Sequence, residues 1–318
     1  MPVLHSTRNV EIVEPATAHR TGVGIFEYTD NYTVFHYGRM PDPIPGKGEA
    51  TCRMAVFNFR TLKAAGVPTH FRRFLPPNRI EFDLARLPES GAGPLADNTL
   101  VPVQVLVRNE VPQGSSVHRR LAAGTLTLDE VGLTRVPHAG ERLPQPLIEY
   151  ATMFEPVNRF VSRFEAPRLA GLSAGQLQVM SDIAVKANAV LAGHAERVGL
   201  HLSDGKAEFL LATDGRLVLA DSPGTPDEAR LLFNGLHCGK QVLRNWYVNN
   251  GLEVPTGRLI ADGVPRDRWP EPAPLPAAFL PVMSDLYRSL SEAWTGERFW
   301  NAPGLDDATR AVTEVIGQ

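Results

Sequence analysis

The sequence predicts a mixed α+β or α/β fold in which an antiparallel sheet carries the polar chemistry and helices cover it. Three stretches carry that expectation. Gly199 to Ser222 reads as a β-hairpin, because the apolar runs Phe209–Ala212 and Leu217–Ala220 flank Asp214-Gly215, a pair that favours tight hairpin turns. Leu100 to Val107 is a nearly continuous apolar run, as a buried strand requires. Ala174 to Val198 places Leu177, Met180, Ile183, Ala184, Ala187 and Leu191 at helical spacing behind Ser173, a good N-cap.

The hairpin also holds the most suggestive polar pattern. Strand alternation sets Asp204, Lys206 and Glu208 along one face. Asp221 lies just past the returning strand, so Glu208 and Asp221 can meet at one end of the hairpin. Paired carboxylates there suit a magnesium ion carrying a nucleotide phosphate. On spacing alone, a solvated hairpin face explains the same residues.

Taken in order, residues 1 to 21 show little pattern. Val23 to Phe35 reads as two strands broken at Asp30-Asn31. Gly38 to Gly48 holds three prolines and three glycines and must be a shaped loop. Lys47, between two of those glycines, is expected on exposed backbone that an anion could approach, although a solubilising lysine would look the same. Glu49 to Ala65 reads as a helix stopped by Gly66-Val-Pro68, followed by strands at Thr69–Phe74 and Ile80–Leu84 and a connection from Leu87 to Asn98.

After the apolar strand come Arg108, then Gly114-Ser115-Ser116 opening a short helix, then His118, Arg119 and Arg120. Guanidinium, hydroxyl and backbone N–H groups in that order can hold a phosphate. Pro137 to Pro146 reads as a loop, and His194 on the long helix as a packing or surface histidine. Beyond the hairpin the pattern gives a helix from Cys238 to Asn250 ended by Gly251, and an irregular Pro-rich stretch from 253 to 276. Two C-terminal helices follow, Ala277–Thr295 and Asp306–Ile316, the second capped by Asp306.

Composition excludes several classes. A chain of 318 residues with 43% hydrophobic and 21% charged residues is that of a globular enzyme, and a net charge of −3 gives no footing for nucleic acid or an anionic membrane. No apolar run approaches the roughly 18 residues of a membrane span. The N-terminus lacks the regions of a signal peptide, and Cys52 and Cys238 suggest neither a disulfide framework nor a zinc site. The expectation is a cytoplasmic protein with both thiols reduced. Protein-kinase signatures and a Gly-x-Gly-x-x-Gly dinucleotide motif do not occur.

Several pieces, kept in order, resemble the phosphoribosylaminoimidazole-succinocarboxamide (SAICAR) synthetase family. They are Tyr32 to Gly48, Val101 to Asn109 with Gly114-Ser115, Pro146 to Arg159, Asp204-Gly-Lys-Ala-Glu-Phe209, Leu219 to Arg230 and Gly239 to Trp246. The resemblance implies a small, kinase-like antiparallel-sheet subdomain over 1–107 and a larger α/β subdomain over 108–318, which holds the hairpin 199–222 and the C-terminal helices. It implies a purine-biosynthetic ligase that spends ATP, with Mg2+, to join a ribonucleotide carboxylate to the amine of an amino acid, aspartate in the family, through an acyl phosphate. Carried over by position, Arg108, Ser115 and Arg230 would hold the substrate phosphate, and Lys47 would border the substrate. Glu208 and Asp221 would serve magnesium and ATP, with Lys206 beside them. Oligomers are common in the family, so a homo-oligomer is compatible with the resemblance.

The departures are as informative. Val10 to Gly22, the expected phosphate-covering stretch, has no Gly-Lys pair and carries Glu14-Pro15. His36 stands where an aspartate is usual, and is a candidate acid–base group. Met153 replaces a usual lysine, Asn158 a usual aspartate, and Ser222 a common second acid. The expectation is therefore a ligase with altered substrates. The alternatives are an enzyme that re-uses the ribonucleotide pocket without ATP, or a non-catalytic nucleotide-binding homologue.

Overall fold

The computed structural model describes residues 7–89, 93–112, 115–155 and 158–316. The chain opens with the antiparallel pair β1 (Arg8–Glu14) and β2 (Gly22–Tyr28). The two-residue strands β3 (Thr33–Val34) and β4 (Gly38–Arg39) follow, then helix α1 (Lys47–Ala64), β5 (Phe71–Leu75) and β6 (Arg79–Leu84). β1, β2, β6 and β5 form a four-stranded antiparallel sheet in that order. β1 escaped the sequence reading because it is an edge strand held by its ladder to β2. Its apolar side chains Val10, Ile12 and Val13 stay exposed, so burial leaves no signature there.

Helix α1 is apolar on two sides. Cys52, Ala55, Val56 and Phe59 pack with Tyr28 and Ile80 of the first sheet, whereas Ala50, Met54 and Leu62 enter the main core. Spacings of three and four residues put each set on its own stripe. The helix thus joins the small sheet to the rest of the protein.

Next come β7 (Thr99–Leu100), β8 (Val103–Val111), α2 (Ser116–Ala122), β9 (Glu141–Thr152), β10 (Phe160–Val161), α3 (Ala166–Ala170) and α4 (Ala174–Arg197). The hairpin is β11 (His201–Leu211) with β12 (Leu217–Ala220), followed by β13 (Ala229–Phe233) and β14 (Leu236–Cys238). Helices α5 (Lys240–Asn249), α6 (Glu253–Ala261), α7 (Phe279–Thr295) and α8 (Leu305–Ile316) complete the chain. The second sheet runs β10-β9-β8-β11-β13-β14, with β7 and β12 attached to β11. Ser173 caps α4 with a full capping box to Gln176.

β11 is the hub. Residues 201–205 pair with β13 and 204–207 with β8, and from Glu208 onward the strand turns to β12. The hairpin reading therefore holds, with Glu208 opposite Ala220. β12 is tied to the first sheet's side of the molecule by Leu219 N–H donating to Pro68 O and His70 N–H donating to Leu219 O.

Three expectations are corrected and one hairpin was not foreseen. Residues 141–146 are strand, not loop: β9 follows β8 across a bulge between Arg108 and Glu110, and Pro144 and Pro146 stand beside that break, where ladder donors are dispensable. Residues 253–261 form α6, whose Pro255 falls in the first turn, which needs no N–H. The β13–β14 hairpin turns at Asn234-Gly235, a signal present in the sequence. α8 starts at Leu305, so Asp306 lies inside its first turn and does not cap it. His194 is a packing histidine, buried between Phe57 and Trp294 and bonded to the Trp294 carbonyl. No helix of the described residues is long and apolar enough to cross a membrane.

Candidate active site on the second sheet

The alternation of β11 does what the sequence suggested. Lys206 Nζ lies 2.6 Å from Glu208 Oε1, 3.2 Å from Asp221 Oδ2 and 2.9 Å from Glu228 Oε2, so three carboxylates gather around one ammonium. Arg8 of β1 closes the cluster from the other side. Its guanidinium pairs with Asp221 and Glu228 and donates to Ser222 Oγ at 2.6 Å. Burial raises Glu208, and Asp221 beside it raises it further, so its carboxyl titrates near about 7 despite Lys206. Burial opposes the Asp221 charge as well, but Arg8 and Lys206 prevail and hold it well below the usual carboxylate range.

Asp221 sits in the left-handed region, at φ 62°, which is rare outside glycine. His70 fixes that conformation: its Nε2 is 3.1 Å from the Asp221 carbonyl, inside a box of Phe26, Phe59 and Phe82. Burial drives the His70 pKa down to about 4, so the neutral ring donates from Nε2 to that carbonyl at neutral pH. A strained, buried acid locked from behind is a common mark of a functional site.

Two residues back along β11 the charge pattern inverts. Arg108, Asp204 and Arg230 lie directly opposite one another on β8, β11 and β13. Asp204 accepts from both arginines, at 2.8 Å from Arg108. Arg108 also pairs with Glu149 at 2.6 Å, and Glu149 with Arg120. Helix α5 adds Arg244 and Lys240 nearby, and burial together with Arg244 lowers the Lys240 pKa to about 8. One face thus presents an acidic end at Glu208 and a basic end around Asp204, roughly 14 Å apart at four strand residues of about 3.4 Å each.

The SAICAR synthetase family profile matches residues 17–256, most of the chain. The chain belongs to the SAICAR synthetase family. An Archaeoglobus fulgidus protein provisionally named phosphoribosylaminoimidazole-succinocarboxamide synthase is 33% identical, with 96% of this chain and 98% of that protein aligned. The synthase of Thermoplasma acidophilum is 26% identical over 86% of this chain and 94% of its own length. Among solved structures, a SAICAR synthase from Saccharomyces cerevisiae in complex with SAICAR superposes at TM-score 0.69 (20% identity, 94% of this chain and 96% of that one). A SAICAR synthetase in complex with ADP gives 0.63 (23% identity, 92% and 97%). These likenesses establish a SAICAR synthetase-like α+β fold.

Within this SAICAR synthetase framework the site residues are placed as follows. Glu208, Asp221 and Lys206 come together, as do Arg108 and Arg230. Ser115 is the N-cap of α2, its Oγ accepting from Val117 N–H, and Gly114 lies outside the described residues. Lys47 corrects its expectation: it is the first residue of α1, 1% exposed, with Nζ 2.6 Å from Asp227. Its neighbours Gly46 and Gly48 donate their N–H groups to the Asp30 carboxylate, at 3.1 and 2.9 Å, so an internal acid already occupies that helix start. Asp30→Ala should cost about 1–2 kcal/mol of folding stability, read as a lower urea midpoint at unchanged slope. His36 lies on an exposed turn with its pKa lowered by partial burial and by Arg266, and among the described residues it makes no ionic contact with the acidic cluster.

Arg8, Glu228, His70 and Lys240 were missed by sequence reasoning. Arg8 changes the account most, because the first strand does bring a cation to the site although it lacks a Gly-Lys pair. Ser222 keeps a role too, with its hydroxyl 2.5 Å from Tyr28 Oη and bonded to Arg8.

Proposed function

We propose that this chain is an ATP-dependent ligase of purine biosynthesis that joins a ribonucleotide-borne carboxylate to the amine of an amino acid. The observation that carries the proposal is the paired site on one sheet face: Glu208, Asp221 and Glu228 at one end, and Arg108 and Arg230 at the other. Names of the relatives, and the ADP and SAICAR bound to two structural neighbours, support the same reading. The substrate acid is the part where a departure is expected, since Lys47 is internally paired and His36 stands apart from the charged face.

Three carboxylates, hard donors of the kind magnesium takes, gather here, but among the described residues they are spaced around the Lys206 ammonium and not as a ready metal cage, so an ion would have to displace that ammonium. Glu208 and Asp221 would hold the ion, with Glu228 adjacent. When bound, magnesium neutralises nucleotide phosphate charge. The chain's own residues do the rest. Lys206 and Arg8 would supply fixed positive charge to a nucleotide phosphate held at this end, where preorganised charge is worth most. Arg230, whose side chain is part-exposed, would meet the substrate phosphate, while Arg108, buried between Glu149 and Asp204, would add its charge from within the sheet. Lys240, its pKa lowered to about 8 by burial and by Arg244, stands close to Glu228 and Asp227 as a further proton-carrying group.

Calorimetric titration with ATP and magnesium tests the acidic end. Binding should be present in the native chain and weakened at least about tenfold in Glu208→Gln, at an unchanged thermal transition. Equal binding by the two proteins would refute the assignment.

A further inference from the structure

A second feature lies apart from the hairpin. A cavity of about 570 Å3 opens between the loop after α2, β9, β10 and α4, within the size range of small-molecule sites. Its lining includes none of Lys206, Glu208, Asp221, Arg108 or Arg230. Leu126, Ile148 and Phe160 give it an apolar wall, while Gln178 and Ser181 of α4 supply polar tips.

Its charged groups do not balance internally. Glu130 is turned to Thr127, bonding both its N–H and its hydroxyl at 2.8 Å, and Glu149 is spent between Arg108 and Arg120. Arg159 pairs with Glu155 and Glu165. Arg163 also lines the cavity, and among the described residues it has no carboxylate within 4.0 Å. Arg120 lies flat on Phe160, 3.8 Å from the ring centre, and its buried Nε–H has no acceptor among the described residues. That Nε is closed off, so a ligand in the cavity meets Arg120 only through the 18% of its side chain that stays exposed.

We propose that this cavity is a second ligand site, for a small organic anion whose charge meets Arg163 and Arg120 and whose apolar body rests against Leu126, Ile148 and Phe160. Planar aromatic or heterocyclic carboxylates, sulfonates and phosphates belong to that class. The site lies apart from the hairpin carboxylates, none of which lines it, and touches the basic end only through Glu149, which Arg108 and Arg120 share.

The test titrates the full chain with 8-anilinonaphthalene-1-sulfonate, followed by fluorescence and by calorimetry. One site with a micromolar dissociation constant is expected, unaffected by ATP and magnesium. Arg163→Gln should weaken it about tenfold, and Gln178→Trp, which fills the cavity from the exposed side of α4, should abolish it. If Gln178→Trp shifts the thermal transition, Thr125→Trp fills the cavity from the opposite wall and is read the same way. N-phenyl-1-naphthylamine, a similar ring system without the sulfonate, should bind at least about tenfold more weakly. Binding unchanged in the filled variants, equal binding of the uncharged ring, displacement by ATP, or no single-site binding up to about 1 mM would each overturn the proposal.

Discussion

Glu208→Gln should lower ADP release by at least about a hundredfold, because it removes a preorganised charge from a phosphoryl-transfer site. Its fold should survive, since glutamine matches the shape and relieves a carboxylate that burial already disfavours. The pH dependence separates this from a generic defect. Glu208 titrates near about 7 in the folded chain, above its unfolded value. The sign for stability is therefore the unusual one for an acid: its contribution is full below the unfolded pKa and is lost as pH rises through about 7. A cation ligand works the other way. It favours the ionised carboxylate, so magnesium-nucleotide affinity should rise up to about tenfold per pH unit toward pH 7 and level off above it. In Glu208→Gln that slope should vanish. A variant that keeps both turnover and slope would show that Glu208 is a bystander.

Arg108→Met should be the most destabilising single change at the basic end, by about 3–5 kcal/mol. Arg108 is buried between Glu149 and Asp204, and its loss leaves both carboxylates with one arginine fewer. Arg120 and Arg230 still reach them, so complete unfolding is not expected. Arg108→Lys should recover part of the loss, because an ammonium can meet one carboxylate but cannot fork to two. Urea denaturation measures this directly. A cost under about 1 kcal/mol for Arg108→Met would mean that the row of charges is a solvated surface feature.

Much of this was legible in the residues. Asp-Gly between β-rich runs marked the hairpin, and strand alternation put Lys206 and Glu208 on one face with Asp221 at the same end. The long apolar run at Val103–Val107 and the Ser173 capping box marked the elements that support it. What stayed hidden depends on long-range packing. Arg8 is more than two hundred residues from Asp221 and Ser222, and nothing local in β1 announces that its guanidinium turns inward. His70 reads as an ordinary strand residue until its aromatic box and the Asp221 carbonyl are in place. Lys47 misled for the opposite reason. Flanking glycines suggest open backbone, but here they serve the close approach to Asp30 and to the Tyr28 carbonyl, which a Cβ at Gly48 would meet at 2.4 Å. β9 was obscured by its prolines, because the bulge that excuses them is a property of the pairing with β8.

The most direct test of the central claim is product analysis. The purified chain is incubated with ATP, magnesium, aspartate and the carboxylated aminoimidazole ribonucleotide, and ADP and the succinocarboxamide are quantified by mass spectrometry. The account predicts equal amounts of ADP and an amide product with this acid or a close relative, and none when the acid, the amine or ATP is left out. Amide formation without ATP, or no ADP with any ribonucleotide acid from a chain that melts cooperatively, would contradict it.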